Sequence, residues 1–157
     1  NNRTGFFKNT EGLKQSGGEY LPKCLQNHKN IDICILSLGT NDAQISYNLN
    51  EQIIKSGLKK LINTVREFNP TAKIIVMPPV KIDPLILNSG FSMLFDKKSI
   101  EKNHLSLNIF KEAAQENNCI IFDVNEIVEP SKFDGLHYTK DSHKIIAQQL
   151  ANILKKL

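Results

Sequence analysis

No stretch of this 157-residue chain is long or apolar enough to cross a membrane. The longest apolar runs, ICILSL and IIVMPPV, have the length of strands. No arginine-rich stripe with interleaved aromatics is present. The net charge is +4, but the lysines are mixed with acids along the chain and read as a solvated surface, so no nucleic-acid partner is expected. Cysteine is sparse: Cys24, Cys34 and Cys119 make an odd number at spacings that fit no metal knuckle. Two of them lie in apolar strand-like runs, where a free thiol packs as a small hydrophobe, and this usage predicts a reducing, cytoplasmic setting. No internal repeat, low-complexity tract, linker or signal peptide is visible. The first residue is Asn1 rather than a methionine, which predicts further residues ahead of it. At 40% hydrophobic and 23% charged residues, the composition is that of a single globular domain over residues 1–157.

The apolar pattern alternates between two periods. Residues 1–18 read as loop. Residues 19–28 place Tyr20, Leu21, Cys24 and Leu25 on one face of a short helix, with Pro22 expected in its first turn. Residues 31–38 are a continuous apolar strand without polar alternation, the pattern of burial on both faces of a parallel sheet. Residues 51–68 carry Ile54, Leu58, Leu61, Ile62 and Val65 at helical spacing, and Pro70 stops that helix. Residues 73–77 form a second strand, ended by Pro78 and Pro79. Residues 80–98 are apolar with weak periodicity and long for a connection, as lids and binding loops are. A helix over 99–117 (Leu105, Ile109, Phe110 and Ala113 inward), a strand over 119–124 and a helix over 141–157 complete the order. Thr139 is the expected N-cap of the last helix, whose inward residues are Ile146, Leu150, Ile153, Leu154 and Leu157. Alternating helices and strands predict an α/β domain, with a parallel sheet and helices on both faces.

In such sheets ligands bind beyond the carboxyl ends of the strands. Two polar clusters fall there: Gly39-Thr40-Asn41-Asp42 after the first strand, and Asp134-Gly135-Leu136-His137 after the third. His137 can shuttle a proton near neutral pH. An aspartate three residues away can fold back across Gly135 and hold the ring's tautomer. Asn41 has an amide that can donate to a developing oxyanion, and Gly39 allows a sharp turn after the strand. Taken singly, D-x-x-H is also the pattern of a surface turn with a helix cap, and GTND that of an ordinary strand-to-helix turn. Both motifs, in order, at strand ends of one α/β domain point to a site.

Here the chain resembles the SGNH (GDSL-type) hydrolases, in their arylesterase and acyltransferase-like branch. LGTND is similar to that family's third block, DGLHYTKDSH to its fifth, and NNRTG at residues 1–5 to its second. The resemblance implies a flavodoxin-like three-layer α/β/α fold. It implies a serine ester hydrolase acting on small acyl esters, with possible acyl transfer to alcohols and no cofactor. His137 and Asp134 would be catalytic, and Asn41 and the backbone at Asn2 would form the oxyanion hole. Asn2 stands where the family carries Gly or Ala, and Arg3 and Thr4 would brace that loop. Leu85, Phe91 and Phe95, within the apolar run 80–98, are candidates to line an acyl pocket. Packing of a long loop onto the core is the alternative for them.

The family's first block, G-D-S, bears the nucleophile and does not occur in these residues, nor does a G-x-S-x-G elbow. Ser37 reads as part of a buried strand, while Ser131 and Ser142 flank the fifth block. The expectation is that the nucleophile and the first strands lie upstream of Asn1. The edge of strand 31–38 would then be covered by that upstream segment or by a second copy of the chain. A non-catalytic binding module that has lost the nucleophile is the alternative. A phosphate-binding flavodoxin-like domain ranks last, because no Gly-rich phosphate loop is present. His28, His104 and His143 read as surface or helix-face residues, His143 with packing in the turn after the fifth block as an alternative, and a metal site from His137, His143 and Asp134 fits no common ligand set.

Overall fold

Three β-branched runs supply the sheet: β1 (Ile33–Ser37), β2 (Lys73–Met77) and β3 (Ile120–Ile121). They lie parallel in the order β1-β2-β3, with Leu36 opposite Val76 and Ile75 opposite Ile120. The computed structural model describes residues 16–28, 30–47 and 50–157.

Side chains alternate faces along each strand, and this sorts the helices into two layers. Leu36, Ile74 and Val76 pack with Leu25 of α1 (Gly17–Asn27), Leu58 and Ile62 of α2 (Glu51–Phe68) and Phe110 of α3 (Lys97–Glu116). Ile75 points the other way and meets Ile146 of α4 (Lys140–Leu154) together with Phe122 and Val124. The result is the three-layer α/β/α arrangement the alternation predicts.

The strongest periodic signals match the structure most closely. α2 and β2 have the predicted bounds, and all five inward residues of α2 are buried. Each contributes about 1.5–3 kcal/mol by leaving water. Thr139 caps α4 by accepting from the Ser142 N–H at 3.1 Å. α3 starts at Lys97 because the Asp96 side chain accepts from the Ser99 N–H at 2.7 Å.

Other expectations are corrected. Pro22 lies in the second turn of α1, where it leaves the Gly18 carbonyl without its helical donor. Tyr20, Leu105, Leu154 and Leu157 are exposed rather than inward. The predicted strand 119–124 shortens to β3, because Asp123 accepts from the Asn125 N–H and turns the chain. β1 is not buried on both faces. Leu36 is buried, but Ile35 is 39% exposed and Ser37 is exposed, since β1 is the sheet edge among the described residues. The run 80–98 contains a 3-10 turn, Pro84–Asn88, capped by Asp83. It buries Ile82, Ile86 and Phe95 in a cluster that also takes Leu136, so it packs directly against the loop ahead of α4.

Candidate active site

After β1 the chain turns at Gly39, whose φ of +115° is a conformation other residues resist. A Cβ there would also stand 2.6 Å from the Phe110 ring, so the close approach requires glycine as well. The turn delivers Asn41 in a short 3-10 segment, Thr40–Ala43. Gln44 donates from Nε2 to the Asn41 Oδ1 at 2.8 Å. With its oxygen held by Gln44, the Asn41 carboxamide has a set orientation, and its NH2 is the donating end.

The second cluster is built on Gly135. Its φ is +69°, and a Cβ would lie 2.8 Å from the Asp83 carbonyl and 2.9 Å from the Ile86 nitrogen. Both are backbone atoms of one hydrogen-bonded turn, which leaves little room to give. Gly135→Ala is expected to lower stability by about 2 kcal/mol or more, combining left-handed strain with the clash. A chemical denaturation series on that variant measures this, and a midpoint equal to wild type would mean the loop moves freely.

The tight turn places Asp134 under its own histidine. One carboxylate oxygen accepts from the N–H groups of Leu136 at 2.9 Å and His137 at 3.0 Å. The other meets His137 Nδ1 at 2.7 Å. Burial raises the Asp134 carboxyl, but the His137 N–H, the His137 ring and the Leu136 N–H outweigh it, holding the pKa below the usual carboxylate value. Asp134 is therefore ionised at neutral pH and can only accept. It follows that Nδ1 of His137 carries the proton and that Nε2 of the neutral ring is the basic atom. The His137 side chain is 62% exposed, against 11% for Asp134, so the base reaches solvent while its partner stays covered.

Both clusters border one cavity of about 430 Å³. Thr40, Asn41 and Gln44 line one side, and His137, Tyr138 and His143 another. Phe91, Leu94 and Phe95 form an apolar wall, with the Phe91 ring 5.2 Å from that of His137. Burial, and then the Asp123 charge, push the Tyr138 phenol up to about 12, so it stays a neutral hydrogen-bonding group.

Of the residues singled out in the sequence, Asn41, His137, Phe91 and Phe95 border the cavity, and Asp134 lies behind His137. Leu85 does not border it: the side chain is 39% exposed, and Asp83 turns this stretch away by accepting from the Leu85 N–H at 2.9 Å. Asn2, Arg3 and Thr4 lie outside the described residues. Ser37 ends β1 exposed and bordering the cavity rather than buried, and His143 is an exposed residue in the first turn of α4 that borders the cavity and meets Tyr138 edge-on. Gln44 and Tyr138 had no sequence signal of their own, since each is recognised only by what it faces. Among the described residues, no three His, Cys, Asp or Glu side chains gather as metal ligands, and no helix is long and apolar enough to cross a membrane.

Solved structures with this architecture are numerous. The M. smegmatis aryl esterase is 22% identical with a TM-score of 0.85, over 99% of this chain and 74% of that one. A carbohydrate acetylesterase from Sinorhizobium meliloti, Est24, gives the same figures of 22%, 0.85, 99% and 74%. Another solved structure is 28% identical, with a TM-score of 0.88 over 99% of this chain and 73% of that one. Among curated proteins none matches the sequence. The sequence pattern of the GDSL-like Lipase/Acylhydrolase family matches residues 2–145, spanning both polar clusters and the sheet between them. With so much of its length accounted for, the chain belongs to the GDSL-like lipase/acylhydrolase family.

Proposed function

We propose that the protein hydrolyses small acyl esters, with His137 as the proton carrier, Asp134 as its partner and Asn41 as an oxyanion donor. The observation that carries this reading is the Asp134–His137 contact of 2.7 Å, with the ring bordering the same cavity as Asn41. A serine hydroxyl, supplied by residues outside this sequence, attacks the ester carbonyl while His137 Nε2 takes its proton. Negative charge develops on the carbonyl oxygen and is met by the Asn41 amide and by backbone N–H groups, including that near Asn2. The tetrahedral species collapses, and His137 returns the proton to the departing alkoxide. Water then enters by the same route in reverse and frees the acid; an alcohol in its place gives acyl transfer. The names of the similar structures, an aryl esterase and a carbohydrate acetylesterase, support an ester as the substrate class.

In this reading the segment bearing the serine also pairs with β1. The exposure of Ile35 and Ser37 supports a covering partner along that edge, whether this segment or a second copy.

The test is hydrolysis of aryl acetate, butyrate and octanoate by the whole natural protein. Steady turnover is expected; a protein that binds these esters without hydrolysing them is a binding module instead. Within that series, Phe91→Ala is expected to change the ratio of kcat/KM between short and long acyl chains by about 1 kcal/mol or more. Leu85→Ala, away from the cavity, should leave the ratio unchanged. A shift in the Leu85 variant alone would move the acyl site to the other side of the 3-10 turn.

A further inference from the structure

Among the described residues, the segment after β2 crosses the site without a strand beside it, because β3 ends at Ile121. Two asparagines take the place of a strand. Asn125 donates from Nδ2 to the Pro79 carbonyl at 3.0 Å and accepts from the Lys81 N–H at 2.7 Å. From the opposite side, Asn103 of α3 donates to the Val80 carbonyl at 3.0 Å and accepts from the Ile82 N–H at 2.9 Å. His104 adds a bond to the Ile82 carbonyl at 2.9 Å. Alternate residues of the segment are thus held by alternate amides, as in a ladder. Asn103 is 0% exposed, a fully buried amide on the inward face of α3, flanked there by the buried Ser99 and Ser106. Burying an amide there is unfavourable unless both ends are bonded, as they are.

The ladder continues into the site. The next N–H, that of Asp83, donates to the Gly135 carbonyl at 2.9 Å, and Gly135 lies so close to Asp83 and Ile86 that no Cβ fits between them. Gly135 adjoins Asp134, and its loop is closed by Gly135 N–H to the Ser131 carbonyl at 2.8 Å and Ser131 N–H to the His137 carbonyl at 2.7 Å. We propose that Asn103 is a positioning residue for the Asp134–His137 pair. It fixes residues 80–82, and the Asp83–Gly135 contact passes that placement to the carboxylate and the ring. Close packing of the 83–86 backbone against Gly135 makes the linkage stiff, so a displaced 82–83 segment moves the loop rather than bending away from it. The effect on turnover rests on the ester-hydrolase reading; the effect on the histidine does not.

The test uses the whole protein with 15N-labelled histidine. Its first readout is the His137 ring nitrogens in the neutral form. Wild type is expected to show a single tautomer, protonated at Nδ1. In Asn103→Ala the ring should become a mixture of both tautomers, with kcat for an aryl acetate lowered about tenfold or more, as small misplacements of a reacting group do. Ile62→Ala, in the core on α2 and remote from the segment, controls for lost stability and should keep the single tautomer and a kcat near wild type. If Asn103→Ala does not fold, Asn125→Ala removes the other half of the ladder at a half-buried position and is read the same way. A wild-type tautomer in the folded asparagine variant, or an equal change in Ile62→Ala, overturns the proposal. A changed tautomer in a protein whose wild type hydrolyses no ester upholds the positioning role and refutes the hydrolase reading.

Discussion

Replacing His137 with alanine is expected to lower kcat by at least about 10⁴-fold in the whole protein. Among the described residues, the ring is the only group lining the cavity whose proton is held by a buried carboxylate. His143 borders the same cavity, but its ring meets Tyr138 edge-on at 6.0 Å and is not paired with Asp134. Asp134→Asn should give a folded protein that is slower by a smaller factor, because an amide can present N–H as well as oxygen to Nδ1 and the ring can then take the other tautomer. The substitution also removes the charge that stabilises the imidazolium during transfer. The fold should survive it: the N–H groups of Leu136 and His137 can still bond to an amide oxygen. Steady-state kinetics with an aryl acetate and a circular-dichroism melt measure the two effects separately. Substantial turnover in His137→Ala would remove the fifth-block reading.

Asn41→Ala is the second large effect, a fall in kcat of about 10²–10³-fold with KM for a short ester little changed. A donor aimed at charge that appears only in the transition state contributes little to ground-state binding. Gln44 sharpens this expectation. Its Nε2 holds the Asn41 oxygen at 2.8 Å, so Gln44→Ala should lower kcat by a smaller factor, through a loosened amide rather than a lost donor. Asn41→Asp is informative too, since it keeps the shape and the contact to Gln44 but replaces the donor with a negative charge. It should be at least as slow as the alanine variant. An unchanged kcat in Asn41→Ala would take this residue out of the site.

The parts of the molecule that sequence made legible are those where one signal acts over many residues. α2 repeats its apolar positions over five turns and is stopped by Pro70, so both its bounds and its buried face match. Asp134, His137 and Asn41 were legible because short-range turn geometry and strand ends bring them to one rim. Elsewhere the pattern misleads for a physical reason. Leu105 has helical spacing, but its part of α3 faces outward, and Tyr20 and Leu157 lie near the limits of the core. Ser37 and Ile35 sit in an apolar run, yet their exposure follows from which strand is the neighbour, and that is not encoded locally. Asn103 and Asn125 look like ordinary polar residues. Their partners are main-chain groups of residues 79–82, on another element, and a backbone partner leaves no mark in the composition. Leu85 shares only hydrophobicity with Phe91 and Phe95; the 3-10 turn Pro84–Asn88, which contains Leu85, directs it elsewhere, and that turn has no apolar period to announce it.

The central claim is that His137 and Asp134 serve a serine that lies outside these 157 residues. Labelling the whole natural protein with a fluorophosphonate, followed by peptide mass spectrometry, tests it most directly. The account predicts stoichiometric label on one serine in a peptide outside this sequence, and strongly slowed labelling in His137→Ala. Stoichiometric label on any serine within it would contradict the account, and label on Ser37, which borders the cavity, would relocate the nucleophile to the end of β1.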